Sequence, residues 1–550
     1  MKVYYNGPIV TMEDEMPVAE MLIEKDGHII YVGDEFGAQK YLTKDCQWID
    51  LEGNTLMPAF IDGHGHFSAT GTFLKTVPLQ SAECFDDITR LMKEHLKAHA
   101  SEDFKVLVGM GYDHNFLIEH DHPNRQVLDA VRDDIPVLVV HTSMHMAVAN
   151  SKLLEIAGFD KDAPEIPGGV IARDPETGEP NGLLEEMAMH AVLPYVGNIF
   201  SAESVDDLVR AQELYIKNGI LTIQDGASNA QSVDLCREAA REGLLKCDIV
   251  SYPCLTMGET PEETVATVHE NSDCVNHYVD RFKIGGYKIV LDGSPQCKTA
   301  WLSEDYTDGT NGYPWVTDAA VQRYVDIAVD EGLQVLTHCN GDAAGDQFLR
   351  AYENAMTRYP EGDAHHDLRP VMIHCQTARD DQLDKMADLD MIASIFVAHV
   401  NYWGDVHTHN MGLGRASHIS PVKGALDRGI TVNFHTDTPI VMPDLFHSVW
   451  TAVNRRTRNG AILGEDQRID VWNALKAITS GAAYSYFEED SKGTLAPGKL
   501  ADLVILDANP LSVPSDDLKD IHVLTTIKEG EILYDVRVEE EEAEKEALVS

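Results

Sequence analysis

The sequence predicts an α/β protein: a (β/α)8 TIM barrel, a β-sandwich domain built from both termini, and an insertion after the first barrel strand. Three observations predict it. Short apolar runs alternate with longer stretches of helical period through the middle of the chain. Eight such runs can be counted, the arithmetic of an eight-stranded barrel. The two chain ends carry the same strand–turn–strand pattern, so a β unit made from both must bracket whatever lies between.

The first fifty or so residues read as short strands, with MLIEK, then Asp26-Gly27, then HIIYVG as a hairpin signal. The other end repeats the pattern in KLADLVILD and HVLTTIKEGEILYD, with Glu529-Gly530 at the turn. The expected two-part domain covers 1–57 and 488–538, and the barrel covers 58–487. Its strands are TLMPAFI (55–61), ILTIQD (220–225), CDIVSYPCL (247–255), FKIGGYKIVL (282–291), LQVLTH (333–338), PVMIHC (370–375), MIASIFVA (391–398) and ITVNFHTD (430–437). The stretch from about 70 to 205 is too long for one strand-to-helix connection. It has strand-like runs of its own, KVLVGMG (105–111) and IPVLVVHT (135–142), and reads as an insertion that roofs the barrel mouth. Residues 539–550, rich in Glu, read as a solvated acidic tail with no assigned function.

Charge and composition exclude several classes. With 44% hydrophobic and 24% charged residues the chain is an ordinary globular protein, but 43 Lys and Arg against 91 Asp and Glu leave a formal net charge of −48. Such a surface repels phosphate backbones, so nucleic acid and anionic membrane are poor partners, and so is a strongly anionic substrate unless a local cation such as a metal offsets the field; the partner expected is a small-molecule substrate. The N-terminal MKVYYNGPIVTMEDEM interleaves acidic residues and lacks the apolar core of a signal peptide, and no apolar run approaches the ~20 residues that span a bilayer. A soluble, cytoplasmic protein is expected, and a homo-oligomer stays open. Nine cysteines, odd in number and without CxxC spacing, read as free thiols.

The sharpest local signal is Asp62-Gly63-His64-Gly65-His66, directly after the first strand. Residues i and i+2 of an extended chain point to one side, so two imidazoles converge, and the flanking glycines let backbone and metal approach closely. His338 closes the fifth strand, His374 the sixth and Asp437 the eighth, while Lys288 lies near the end of the fourth. Singly each has a plainer reading: a satisfied strand-end histidine, a turn-forming Asp before Thr438-Pro439, a lysine paired with a carboxylate such as Asp292. Together they make a ring of imidazole and carboxylate at one barrel mouth, a composition that suits zinc or a similar borderline metal.

The order His-x-His, Lys, His, His, Asp on strands one, four, five, six and eight resembles the amidohydrolase superfamily of metal-dependent hydrolases. The closer similarity is to its YtcJ-like branch, which includes N-substituted formamide deformylases. The supporting segments run through nearly the whole chain: MPAFIDGHGHF, PGGVIARDPETGEPNGLLEE, GILTIQDG, YKIVLDGS, THCNGDAA, MIHCQ, NYWGD, FHTDTPIVMPD and KGTLAPGKLADLVILDANP. The resemblance implies two Zn2+ ions, or other divalent metals. His64, His66 and Asp437 would hold the more buried one, His338 and His374 the more exposed one, and Lys288 would bridge them as a carbamate. It implies hydrolysis of a non-peptide carbon–nitrogen bond, amide or formamide, through a metal-bound hydroxide, with Asp437 moving the proton to the leaving nitrogen. An esterase, lactonase or deaminase could use the same centre. An isomerase or lyase on the same metals and a non-catalytic scaffold are the remaining alternatives. His145 reads either as a substrate contact or as a structural histidine, and Asp292, Trp403 and Asp405 either line the pocket or fix loops. The chain departs from the commoner family text at Pro295-Gln296-Cys297, Met144 and His435-Thr436, positions near the mouth that bear on substrate.

Overall fold

Eight parallel strands run in chain order through the middle of the molecule: Phe60–Ile61, Ile220–Ser228, Asp248–Pro253, Phe282–Ile284 continued by Gly286–Val290, Gln334–Cys339, Val371–His374, Ile392–Ile395 and Val432–Phe434. Each pairs with its predecessor. The computed structural model describes residues 1–99, 104–197, 202, 204–257, 260–360 and 362–539, so the acidic tail past Glu539 lies outside the described residues. The eighth strand returns to the first, because the Gly63 N–H donates to the Phe434 carbonyl at 3.1 Å and the His66 N–H to the Thr438 carbonyl at 2.8 Å.

Two glycines explain local departures from an unbroken strand pattern. A Cβ on Gly63 would sit 2.1 Å from Asn433 Oδ1 and 2.8 Å from the Phe434 carbonyl, so this position is small because strand eight closes against it. That corrects the expectation that it makes room for a metal. Gly286, at φ +154°, would place a Cβ 2.0 Å from the Gln334 carbonyl, and the fourth run is accordingly split at Gly285.

The run 55–61 is also divided rather than being one barrel strand. Thr55–Pro58 pairs antiparallel with Leu503–Leu506, while Phe60–Ile61 turns into the barrel and pairs with Ile220–Ser228. Both halves are buried, so the run is apolar throughout and hides the break.

Two sheets form the terminal β unit. One has the order His28–Gly33, Met21–Lys25, Lys2–Tyr5, Gln47–Asp50; the other runs Glu531–Asp535, Val523–Lys528, Leu503–Leu506, Thr55–Pro58, Ile9–Val10, Val18–Ala19. Tyr4, Leu22 and Ile29 of the first sheet share one core with Leu56, Leu503 and Ile527 of the second. Both signalled hairpins have left-handed turn residues, Asp26 (φ 52°) with Gly27 (φ 82°) and Glu529 (φ 48°) with Gly530 (φ 80°), as two-residue turns between twisted strands require. Buried Asp248, on the third barrel strand, accepts from Lys492 and Lys528 at 2.6 Å each, tying the barrel to the C-terminal part of this unit.

Between the first two barrel strands lies a six-stranded sheet in the order Gly169–Arg173, Pro180–Glu186, Met146–Ala149, Val137–His141, Leu107–Tyr112, Val77–Pro78, with apolar clusters of its own. All nine cysteines are unpaired. Among the described residues no helix is long and apolar enough to cross a membrane.

Candidate metal centre

Strand ends carry the six residues expected at the mouth, and the fold brings all six together. The His64 and His66 ring centroids are 5.0 Å apart. Asp437 Oδ1 lies 3.1 Å from His66 Nε2 and 3.5 Å from His64 Nε2, yet this buried oxygen takes no well-directed hydrogen bond. The ligand atoms of His64, His66 and Asp437 all lie within 4.8 Å of one another. Tetrahedral zinc with bonds of about 2.0–2.1 Å needs ligand atoms about 3.3 Å apart, so the three atoms have the spacing of a metal cradle. The donors are all nitrogen or carboxylate oxygen, the set a divalent first-row ion takes.

Lys288 Nζ is 3.1 Å from His64 Nε2. The side chain is fully buried and makes no ion pair among the described residues, which overturns the plainer reading of a Lys288–Asp292 pair. The His338 and His374 rings are 4.4 Å apart, and His374 Nε2 stands 4.0 Å from Asp437 Oδ2. His374 (φ 70°) and Asp437 (φ 54°) both have left-handed backbones, a strained geometry that gathers at functional sites.

Burial dominates the electrostatics. It lowers His64, His338 and His374 well below the usual imidazole range, so all three are neutral and keep a lone pair. It also lowers the Lys288 amine to about 8. Burial works against the Asp437 carboxylate, but the His66 and His374 imidazoles hold it well below its ordinary value.

Behind the ring stands a layer that the sequence reading missed. Gln224 Nε2 donates to the Gly63 carbonyl at 3.1 Å and to Tyr486 Oη at 2.9 Å, so its Oε1 must be what meets His64 Nδ1 at 2.5 Å. His64 Nδ1 therefore donates, and Nε2 is left free for a ligand. His374 Nδ1 meets His435 Nε2 at 3.2 Å, and His435 Nδ1 meets Ser394 Oγ at 2.9 Å. Asp225 lines the pocket, with Oδ1 accepting from the Ser68 N–H (3.1 Å) and Oγ (2.9 Å) and Oδ2 unpartnered. A polar pair at the end of the second run was the available signal for Gln224 and Asp225.

The mouth opens into a cavity of about 120 Å3 whose lining includes His66, Asp225 and Trp315, with Met144, His145 and His190 from the inserted segment. His145 Nδ1 pairs with Glu186 Oε2 at 2.9 Å; burial opposes its charge, but Glu186 raises it to about 9. Its ring lies 6.1 Å from that of His338. Asp292, Trp403 and Asp405 do not line this cavity. Asp292 is buried behind His338 and accepts from the backbone N–H groups of Trp301, Asn340 and Gly341 at 3.0, 3.0 and 2.7 Å. Trp403 is buried and donates from Nε1 to Asp113 Oδ2 at 2.7 Å, and Asp405 accepts from Thr457 Oγ1 at 3.0 Å and the Asn459 N–H at 3.2 Å. Their short contacts hold loops, which favours the loop-fixing alternative over substrate contact.

Fold and site together define a mixed α/β protein with a candidate metal centre at the C-terminal ends of its parallel strands. The chain belongs to the amidohydrolase family, whose model matches residues 47–534. It is 27% identical over 556 residues to YtcJ of Bacillus subtilis (strain 168), covering 97% of this chain and 99% of that one. It is also 27% identical over 561 residues to the N-substituted formamide deformylase of Arthrobacter pascens, covering 96% and 97%. The crystal structure of a metal-dependent hydrolase from Pyrococcus horikoshii OT3 superposes with a TM-score of 0.73 at 26% identity, covering 94% of this chain and 99% of that one.

Proposed function

We propose that this protein is a metal-dependent hydrolase that cleaves a non-peptide carbon–nitrogen bond, of an amide or formamide, in a small molecule. The observation that carries the reading is the orphaned Asp437 Oδ1 between His64 and His66, with His338 and His374 beside it and an ion-pair-free Lys288 beneath. In this reading His64, His66 and Asp437 would hold one zinc ion and His338 and His374 a second. Lys288, whose amine is lowered to about 8 and so is partly neutral near that pH, could take up carbon dioxide and would then offer both ions an anionic carbamate ligand. Metal bound there would supply Lewis acidity and make water a competent nucleophile near neutral pH.

The chain's own residues do the rest. Asp437, ionised at neutral pH, accepts the proton of the attacking water and returns it to the leaving nitrogen, which is a poor leaving group until protonated. His145, held cationic by Glu186 at the pocket wall, donates to the substrate carbonyl oxygen as charge builds there. The inserted segment limits water in the cavity. The architecture proposed with this function is a (β/α)8 barrel over 58–487, a β-sandwich from 1–57 and 488–538, a roof at about 70–205 and an acidic tail at 539–550. The chain-ordered parallel pairing in two sheets, joined by an isolated Cys254–Lys288 bridge, and the core common to both terminal sheets support it.

Metal analysis of protein purified without added metal, run beside a panel of amides, formamides, esters and aminoheterocycles, tests the reading. Bound divalent metal with turnover on amides or formamides is expected, with oxygen from labelled water in the acid product. Turnover only on esters or aminoheterocycles would assign the centre to the rival chemistry. No metal and no activity after metal addition would favour a scaffold.

A further inference from the structure

A second cluster of metal-type side chains lies in the inserted segment and shares no residue with the centre at the mouth. We propose that Asp113, His114 and His141 form a separate site for a divalent first-row cation, zinc by the chemistry of the donors, which fastens the roof to the barrel.

Distances carry the argument. His114 Nδ1 is 3.1 Å from His141 Nε2, His141 Nε2 is 3.4 Å from Asp113 Oδ1, and His114 Nδ1 is 3.8 Å from Asp113 Oδ1. Edges of about 3.3 Å are those of a tetrahedron around zinc, so the three atoms form one face of such a site and leave its fourth corner for water. Two imidazole nitrogens this close to each other and to a carboxylate oxygen need either a metal ion or an imidazole N–H between them.

Each ligand is also held from behind. Asp113 Oδ2 accepts from Trp403 Nε1 at 2.7 Å, and Oδ1 accepts from both the N–H and the Nδ2 of Asn115 at 2.9 Å each. His141 Nδ1 accepts from the Ser143 N–H at 3.1 Å and meets Ser143 Oγ at 2.9 Å, so the ring's proton belongs on Nε2 and a cation bound there would take that proton's place. His114 is stacked on His122, centroids 4.0 Å apart, and His122 Nδ1 is fixed by Tyr112 Oη at 2.9 Å. Such outer partners orient metal ligands and set the tautomer. Asp113 and His141 are buried, whereas the His114 side chain is 19% exposed and leaves a way in.

The position gives the ion a role. His141 ends one strand of the inserted sheet and Asp113 follows another, while Trp403 belongs to the helix His399–Ala416 after the seventh barrel strand. A cation gripping Asp113 would stiffen the contact through which the roof sits on the barrel. The rival occupant is a proton: burial lowers His141, but Cys297 and Asp113 raise it to about 10.

Crystals of the full chain grown with Zn2+ at pH 8, measured on both sides of the zinc absorption edge, decide between them. An anomalous peak bounded by Asp113, His114 and His141, in addition to any at the mouth, is expected. Its absence while the mouth is occupied would overturn the site. In solution, His114→Gln should retain one zinc fewer per chain than the parent after dialysis against Zn2+, and melt at lower temperature only when zinc is present. Equal zinc content in the two proteins would overturn the proposal as well.

Discussion

Asp437→Asn separates chemistry from architecture, because the structure shows what the change leaves alone. The Asp437 backbone is left-handed (φ 54°), a region that asparagine tolerates as well as aspartate, so the change adds no backbone strain. The backbone bonds also survive, since the Asp437 N–H donates to the His64 carbonyl at 3.2 Å and its carbonyl accepts from the Ile440 N–H at 2.8 Å. What disappears is the negative charge 3.1 Å from His66 Nε2 and 3.5 Å from His64 Nε2. Loss of a general acid or base costs about 10²–10⁴-fold in rate. At about 1.4 kcal/mol per decade that is about 2.7–5.4 kcal/mol of transition-state stabilisation, and weakened metal binding adds to it. The assay is kcat, KM, metal content and Tm on one preparation. A collapse of kcat with KM little changed and the fold intact is expected. The folded-state pKa of Asp437 is depressed, so its contribution to stability is fully present above the unfolded value near 4 and is lost as pH falls through the folded one. The Tm difference between parent and variant should therefore hold from pH 5 to 8 and shrink in acid. Near-parental kcat per folded molecule would reduce Asp437 to a turn former and refute the reasoning.

Gln224→Leu removes the acceptor of His64 Nδ1 and should weaken metal binding about 10–100-fold, read by chelator competition; unchanged affinity would deny Gln224 its orienting role. Gly63→Ala drives a Cβ to 2.1 Å from Asn433 Oδ1 and should cost about 1–3 kcal/mol or more in urea unfolding, whereas Gly414→Ala, which meets nothing within 4 Å, should cost nothing. Asp248→Asn leaves buried Lys492 and Lys528 without their shared partner and should cost about 3–5 kcal/mol. Because Asp248 is held below its ordinary value, that difference should be full above pH 4 and fade in strong acid, which a pH series of melting curves checks. With a formal charge of −48, kcat/KM for an anionic substrate should rise with ionic strength and that for a neutral one should stay flat, as rates from 20 to 500 mM salt would show.

Legibility followed the range of the forces involved. Asp26-Gly27 and Glu529-Gly530 announce their hairpins because a two-residue turn depends only on its own backbone. His64 and His66 announce themselves through the two-residue period of extended chain, and His338, His374 and Asp437 through their places at the ends of apolar runs. What required the folded chain was set by distant neighbours. The break at Ala59 cannot be read in a run that is apolar on both sides, since it is fixed by which sheet each half joins. Gly63 is small on account of Asn433, far along the chain. Gln224 looked like an unremarkable polar residue until its amide was seen to fix the proton on His64. The bridging role of Lys288 rests on resemblance, because an ordinary lysine only donates; the structure adds that it is buried and has no carboxylate pair among the described residues.

The acidic surface and the imidazole-lined mouth fit one another better than the charge balance alone suggests. Neutral imidazoles contribute no charge of their own, so the attraction for a dication comes from Asp437, close against His64 and His66. The surrounding field deepens that attraction and disfavours anions in bulk solution. On the proposed function, a neutral amide would enter without cost from that field. The amine released would take up a proton and be drawn outward as a cation by the same field, while the carboxylate product would be repelled on leaving the site. That reading therefore fits a field that favours a neutral substrate whose products differ in charge.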